Sequence, residues 1–136
     1  MPTHLLTLTR FVIIACLLTC GVSQASEQKP VQHLKLDSIN DAATAKNVFL
    51  QETAALKAEK KLDAQALQDI HIITYSLEKS VAFYTQSTNQ SIQAKAKALA
   101  DVVEALHLSS EKNRIEATQK NLSQYLSLAE KFKSNL

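Results

Sequence analysis

From residue 38 onward the apolar positions recur three and four residues apart, the spacing of one face of a helix. Ala42, Ala45, Phe49 and Leu56, with Val48 beside them, form a first stripe behind the capping pattern Ser38-x-x-Asp41, which predicts a helix running to about Lys61. Asp63 is placed to cap a second helix over about 64–86, where Ala66, Leu67, Ile70, Ile73, Thr74, Leu77, Val81 and Tyr84 share a face. Ser87-x-x-Gln90 opens a third, over about 88–107, which presents Ile92, Ala96, Leu99, Val102, Val103 and Leu106. Ser109-Ser110 marks a third break. A last helix over about 111–133 then presents Ile115, Thr118, Leu122, Tyr125, Ala129 and Phe132.

Four helices of similar length with short connections place neighbours antiparallel. The expected fold is therefore all-α, an antiparallel up-down-up-down four-helix bundle over residues 38–136. The alternative is a helical hairpin or three-helix form that dimerises, with the last two helices continuous through Ser109-Ser110. The inward positions include many Ala and Thr, which permit close approach but bury little apolar area, so oligomerisation or a partner would add needed burial.

The N-terminus has a different pattern. Arg10 is the only charged side chain before an uncharged run, Phe11 to Val22, and Ser23-Gln24-Ala25 sets small residues at the two positions a signal peptidase reads. The run would span roughly 18 Å as a helix, short of a hydrocarbon core of about 30 Å. Residues 1–25 are thus expected to be a secretory signal peptide cut near Ala25. Residues 26–37, polar and containing Pro30, are expected to form a flexible leader, and the expected location is the periplasm. The alternative is a lipid anchor at Cys20, after Leu17-Leu18-Thr19; no stable membrane span is expected.

Composition narrows the chemistry. Both cysteines, Cys16 and Cys20, fall in the expected signal, so the exported chain would have no disulfide, thiolate metal site or c-type haem attachment. Of 15 Lys and Arg only Arg10 precedes residue 26, and the 13 Asp and Glu all follow it. The near-neutral, interspersed balance gives no basic stripe for nucleic acid. There is one glycine in the chain, Gly21, so no glycine-rich phosphate loop exists. No nucleophile stands beside a convincing base, and no enzymatic activity is expected.

Two constellations remain. The first is His71, Glu104 and His107. A simple antiparallel pairing of the second and third helices puts residue i opposite about 175 − i, which brings these three to one end of the bundle with Glu111 nearby. Two imidazoles and a carboxylate could hold Zn²⁺, Cu²⁺ or Ni²⁺; the plainer alternative is hydrogen-bonded boundary histidines. Haem held by both histidines would require both rings to turn inward, and no cofactor is expected. The second constellation is Ile72, Tyr75 and Phe83, on the side of the second helix away from its core stripe and interrupted by Lys79. A second apolar face suggests a protein contact surface, for a partner or for a second copy in a homodimer.

The segments His71-x-x-Thr74-Tyr75-x-Leu77-Glu78 and Leu99-Ala100-x-x-x-Glu104-x-x-His107-x-x-Ser110-Glu111 resemble a family of small exported bacterial helical proteins of unknown function. The resemblance covers about half the chain and implies export and helicity, not an activity. The architecture is also similar to cytochrome-b562-like periplasmic bundles, whose methionine ligand is missing here. The sequence thus leads to a non-enzymatic periplasmic helical protein acting through protein contacts, with a small metal-binding bundle as the alternative.

Overall fold

A computed structural model describes residues 37–136. The expected signal peptide and all but the last residue of the leader lie outside the described residues. Those described form four helices, α1 (Ala42–Ala58), α2 (Ala64–Thr85), α3 (Gln90–Glu111) and α4 (Ile115–Lys133), and no strand.

Side-chain bonds between the helices set their directions. Ser80 Oγ donates to the Ala45 carbonyl at 2.8 Å and Tyr84 OH to the Ala42 carbonyl at 3.4 Å, so α2 returns along α1. Asn121 Nδ2 donates to the Ala105 carbonyl at 2.9 Å, and Lys95 Nζ reaches Asn135 Oδ1 at 2.9 Å, so α4 returns along α3. The Thr53 and Tyr125 hydroxyls lie 2.6 Å apart, and Lys46 Nζ donates to the Leu136 carbonyl at 2.8 Å, which makes α1 and α4 antiparallel neighbours. The four-residue connection between α2 and α3 closes the up-down-up-down bundle.

The inward stripes meet as expected. Phe49, Leu56, Ile70, Leu77, Val81, Leu99, Val103, Leu106, Tyr125 and Phe132 are buried in one cluster. At the end where α1 starts, the Phe132 ring packs edge-on against both Phe49 and Tyr84, with centroids 5.3 Å apart in each pair. Such aromatic pairs add stabilisation beyond their burial.

The ends differ from the sequence expectations in instructive ways. The N-cap of α1 is Asp41 in place of Ser38, its carboxylate accepts from the Thr44 amide at 2.8 Å, and the helix begins three residues later than expected. Asp63 caps α2 as predicted, accepting from the Ala66 amide. Asn89, rather than Ser87, caps α3. The largest departure is at Ser109-Ser110, which is not a break. Both hydroxyls turn back onto carbonyls of the preceding turn, Leu106 at 3.1 Å and His107 at 2.9 Å, and so stay inside the helix. Helix α3 stops at Glu111, where Asn113 takes a left-handed φ of 51°. The Arg114 amide bonds the Ser109 carbonyl and the Asn113 amide the Ser110 carbonyl, a Schellman ending with Asn113 in the position glycine usually fills. Helix α4 therefore starts four residues late, and Ile115, expected in the core, is exposed in its first turn.

Candidate functional site

The site grows out of α2 and α3 near the end where α2 starts and α3 stops. On α2, His71, Thr74, Tyr75 and Glu78 are spaced three and four apart, so all four lean to one side, toward α3. On α3, His107 faces them. His71 is 2% exposed, His107 6% and Tyr75 8%, so an imidazole–imidazole–phenol cluster is sealed between two helices.

The three rings pack closely. The imidazole centroids are 4.6 Å apart, and the Tyr75 ring stands edge-on to His107 at 4.8 Å and to His71 at 5.1 Å. Polar contacts fix their order. The Thr74 hydroxyl has a single hydrogen and gives it to the His71 carbonyl one turn back, at 2.6 Å. The same oxygen lies 2.9 Å from His107 Nδ1, and with its own hydrogen given to the carbonyl it accepts there from the tautomer that carries the proton on Nδ1. Glu78 Oε1 is 3.2 Å from that nitrogen, positioned to pair with the ring when it is protonated. Tyr75 OH and His71 Nε2 are 3.3 Å apart. Burial raises the Tyr75 pKa, and the Glu111 and Glu78 carboxylates raise it further, so the phenol keeps its proton.

Chemically the set contains the parts of a proton relay, two imidazoles, a phenol, a hydroxyl and a carboxylate. Its clear physical effect is to tie α2 to α3 at a defined register, since a buried polar network is stable only when its partners meet.

The structure brings His71 and His107 together but leaves Glu104 exposed, and the carboxylate beside the imidazoles is Glu78. The physical reason is helical phase: Glu104 lies on the exposed side of α3, whereas Glu78 is one turn along α2 from Thr74, which meets His107. Among the described residues no three of His, Cys, Asp and Glu are grouped to hold a metal ion. Of Ile72, Tyr75 and Phe83, only Ile72 is exposed. Tyr75 was expected on the wet side, but its long side chain reaches back to the histidines. Phe83 is half-buried, packed edge-on to Tyr84 at 5.2 Å. Sequence reasoning missed Thr74 and Glu78 as partners of His107, although their spacing from His71 could have shown them.

A second polar group lies between α1 and α4. Tyr125 is fully buried and its pKa is strongly raised by burial, with Thr53 as its hydroxyl partner. Glu52 beside it is half-buried, and burial raises its pKa although a bond from Ser76 partly offsets this.

Among the described residues no helix is long and apolar enough to cross a membrane. No curated protein and no solved structure matches this chain. A family model described as "Family of unknown function (DUF6746)" matches residues 1–134, and the chain belongs to that family.

Proposed function

We propose that this is an exported, non-enzymatic helical protein that acts through protein contacts made at one end of its bundle. The observation that carries the reading is where the large apolar side chains left in water lie. The exposed large hydrophobics among the described residues are Ile72 (42%), Leu108 (39%) and Ile115 (50%). Leu108 and Ile115 lie where α3 stops and α4 begins, and Ile72 lies in the half of α2 nearer that end. Ile72 lies two residues from Thr74 and Leu108 one from His107, so the bonded pair Thr74–His107 holds them at one level on adjacent helices. Ile72 and Leu108 are each about half a helical turn from their helix's core stripe, and Ile115 is exposed because it sits in the first turn of α4. Singly, exposed apolar residues are ordinary surface. Ile72 and Leu108, held at one level by a buried polar network, with Ile115 at the start of the next helix, are the positions that fit a contact surface.

Burial of the imidazoles also favours this reading over catalysis, because a substrate would have to part α2 from α3 to reach them. The patch has moved from the one the sequence suggested: Ile72 stays, Leu108 and Ile115 join it, and Tyr75 becomes its support from below. The test is Ile72→Ser, Leu108→Ser and Ile115→Ser together, at exposed positions where the fold should tolerate them. Light scattering behind a sizing column and capture from periplasmic extract are compared with the parent. The reading expects loss of a self-associated species or of a captured protein, with unchanged helicity. A parent that is monomeric, captures nothing and matches the variant in both assays would refute it.

A further inference from the structure

The opposite end of the bundle carries a feature that the contact patch does not use. A cavity of about 690 Å³ opens beside the end of α2 and the start of α3. Its apolar walls are Ile39, Ala82, Phe83, Tyr84 and Ile92, and its polar rim includes Ser87 and Thr88. That volume falls in the range of small-ligand sites, which are lined mainly by apolar groups with a few polar ones to orient the ligand. Lys79 is the one charged residue among those lining it. A second, smaller cavity of about 200 Å³ adjoins along α1 and shares both Ile39 and Lys79, with Asp37 on its wall.

The charge distribution selects a ligand. Lys79 forms no ion pair among the described residues. No carboxylate lines the larger cavity, and Asp37 lines only the smaller one. Lys79 is exposed, so its ammonium stays in water at the cavity mouth, where an anionic head group would pair with it. A single anionic head at Lys79, with a hydrocarbon body along Ile39, Phe83 and Ile92, satisfies both halves. The long stem of Lys79 can lie along the apolar wall while its head stays at the mouth. Phe83 gains a reason for its half-buried position: its ring packs on Tyr84 on one side and faces the cavity on the other. Tyr84 in turn bonds the Ala42 carbonyl, which holds the start of α1 against the end of α2 and keeps the cavity formed.

We infer that this cavity is a binding site for a monoanionic amphiphile, a medium-chain carboxylate, with Lys79 taking the head group and Ile39, Phe83 and Ile92 the chain. The site is separate from the contact patch and does not depend on it.

The experiment uses the exported mature protein, labelled with ¹⁵N, and sodium octanoate below its micellar range as the probe. The inference expects saturable shifts of the amides of Ile39, Phe83, Thr88 and Ile92, while those of Ile72 and Leu108 stay still. Octanol, of equal length without the charge, should bind at least about tenfold more weakly, the scale of one charge-assisted hydrogen bond. Lys79→Gln should weaken octanoate by a similar factor and leave octanol unchanged. Phe83→Ala should weaken both ligands, with circular dichroism confirming that the helices persist. Absence of saturable shifts overturns the site. Equal binding of octanoate and octanol, or no effect of Lys79→Gln, overturns the anionic ligand class. Shifts centred on any other surface overturn the placement.

Discussion

Thr74 and Thr118 offer one substitution with two opposite outcomes. Both side chains are fully buried in helix interiors, and Thr→Val changes neither size nor branching at either. They differ in bonding. The Thr74 hydroxyl donates to the His71 carbonyl and accepts from His107 Nδ1. Among the described residues the Thr118 hydroxyl has no hydrogen-bond partner. Thr74→Val removes two bonds and takes from the buried His107 Nδ1–H its shorter contact, leaving only Glu78 at 3.2 Å. At about 1 kcal/mol per bond, and about 1–3 kcal/mol where a buried group loses its partner, the cost should be about 2–3 kcal/mol. Thr118→Val removes a buried hydroxyl that bonds nothing, whose desolvation costs about 1–3 kcal/mol on mutational scales, so it should stabilise by about 1 kcal/mol. Helix propensities of Val and Thr are nearly equal and cancel. The pair should therefore separate by about 3 kcal/mol or more, and for a domain near 100 residues each kcal/mol moves Tm by about 4–8 °C. Urea unfolding followed by circular dichroism, with thermal melts alongside, measures both. If the two variants shift in the same direction, or Thr74→Val is neutral, the bonding pattern assigned to the α2–α3 network is wrong.

Further expectations concern single features. Burial raises the Glu52 pKa in the folded protein above its value in the unfolded chain, so its contribution to stability is full below the unfolded value and is lost as pH rises through the folded one. Stability measured across mildly acidic pH should show that decline, and Glu52→Gln should flatten it. Asn113→Gly should be neutral or slightly stabilising, whereas Asn113→Val, forced to φ 51°, should cost about 1–2 kcal/mol by chemical denaturation. Intact-mass measurement of the exported protein should give a start at or near Ser26; a product retaining Met1 to Ala25 would contradict cleavage, and a diacylated Cys20 would indicate the lipid-anchored form.

The core was legible because its signal is periodic. Leu67, Ile70, Thr74, Leu77 and Val81 were placed by spacing alone, and all are buried. Asp63 was legible for the same local reason, an N-cap that bonds an amide three residues on. What failed depends on relations between segments. Ser109-Ser110 looks like a break, but a hydroxyl can bond either its own helix or a turn, and only the burial of both serines decides between them. The stop lay at Asn113, whose ability to take a left-handed conformation is a weak signal in one sequence. Which carboxylate meets the histidines depends on how α2 and α3 face each other: Glu104 turns to the exposed side of α3, and Glu78 of α2 stands beside His107. Tyr75 was misplaced because a helix with neighbours on both sides buries a wider arc than its core stripe, and a long aromatic can lean into it. Ile115 joined the exposed set only once the start of α4 was known.

The central claim is that one end of the bundle meets another protein. Site-specific photocrosslinking in the periplasm tests it most directly. A benzophenone side chain is placed in turn at Ile72, Leu108 and Ile115, and at the exposed control positions Lys46, Lys95 and Lys131, toward the opposite end of the bundle. The account predicts a discrete crosslinked species, either a dimer or one heterologous adduct, from the first three positions and none from the controls. Irradiation that yields no discrete adduct at Ile72, Leu108 or Ile115, or the same adducts from all six positions, would contradict it.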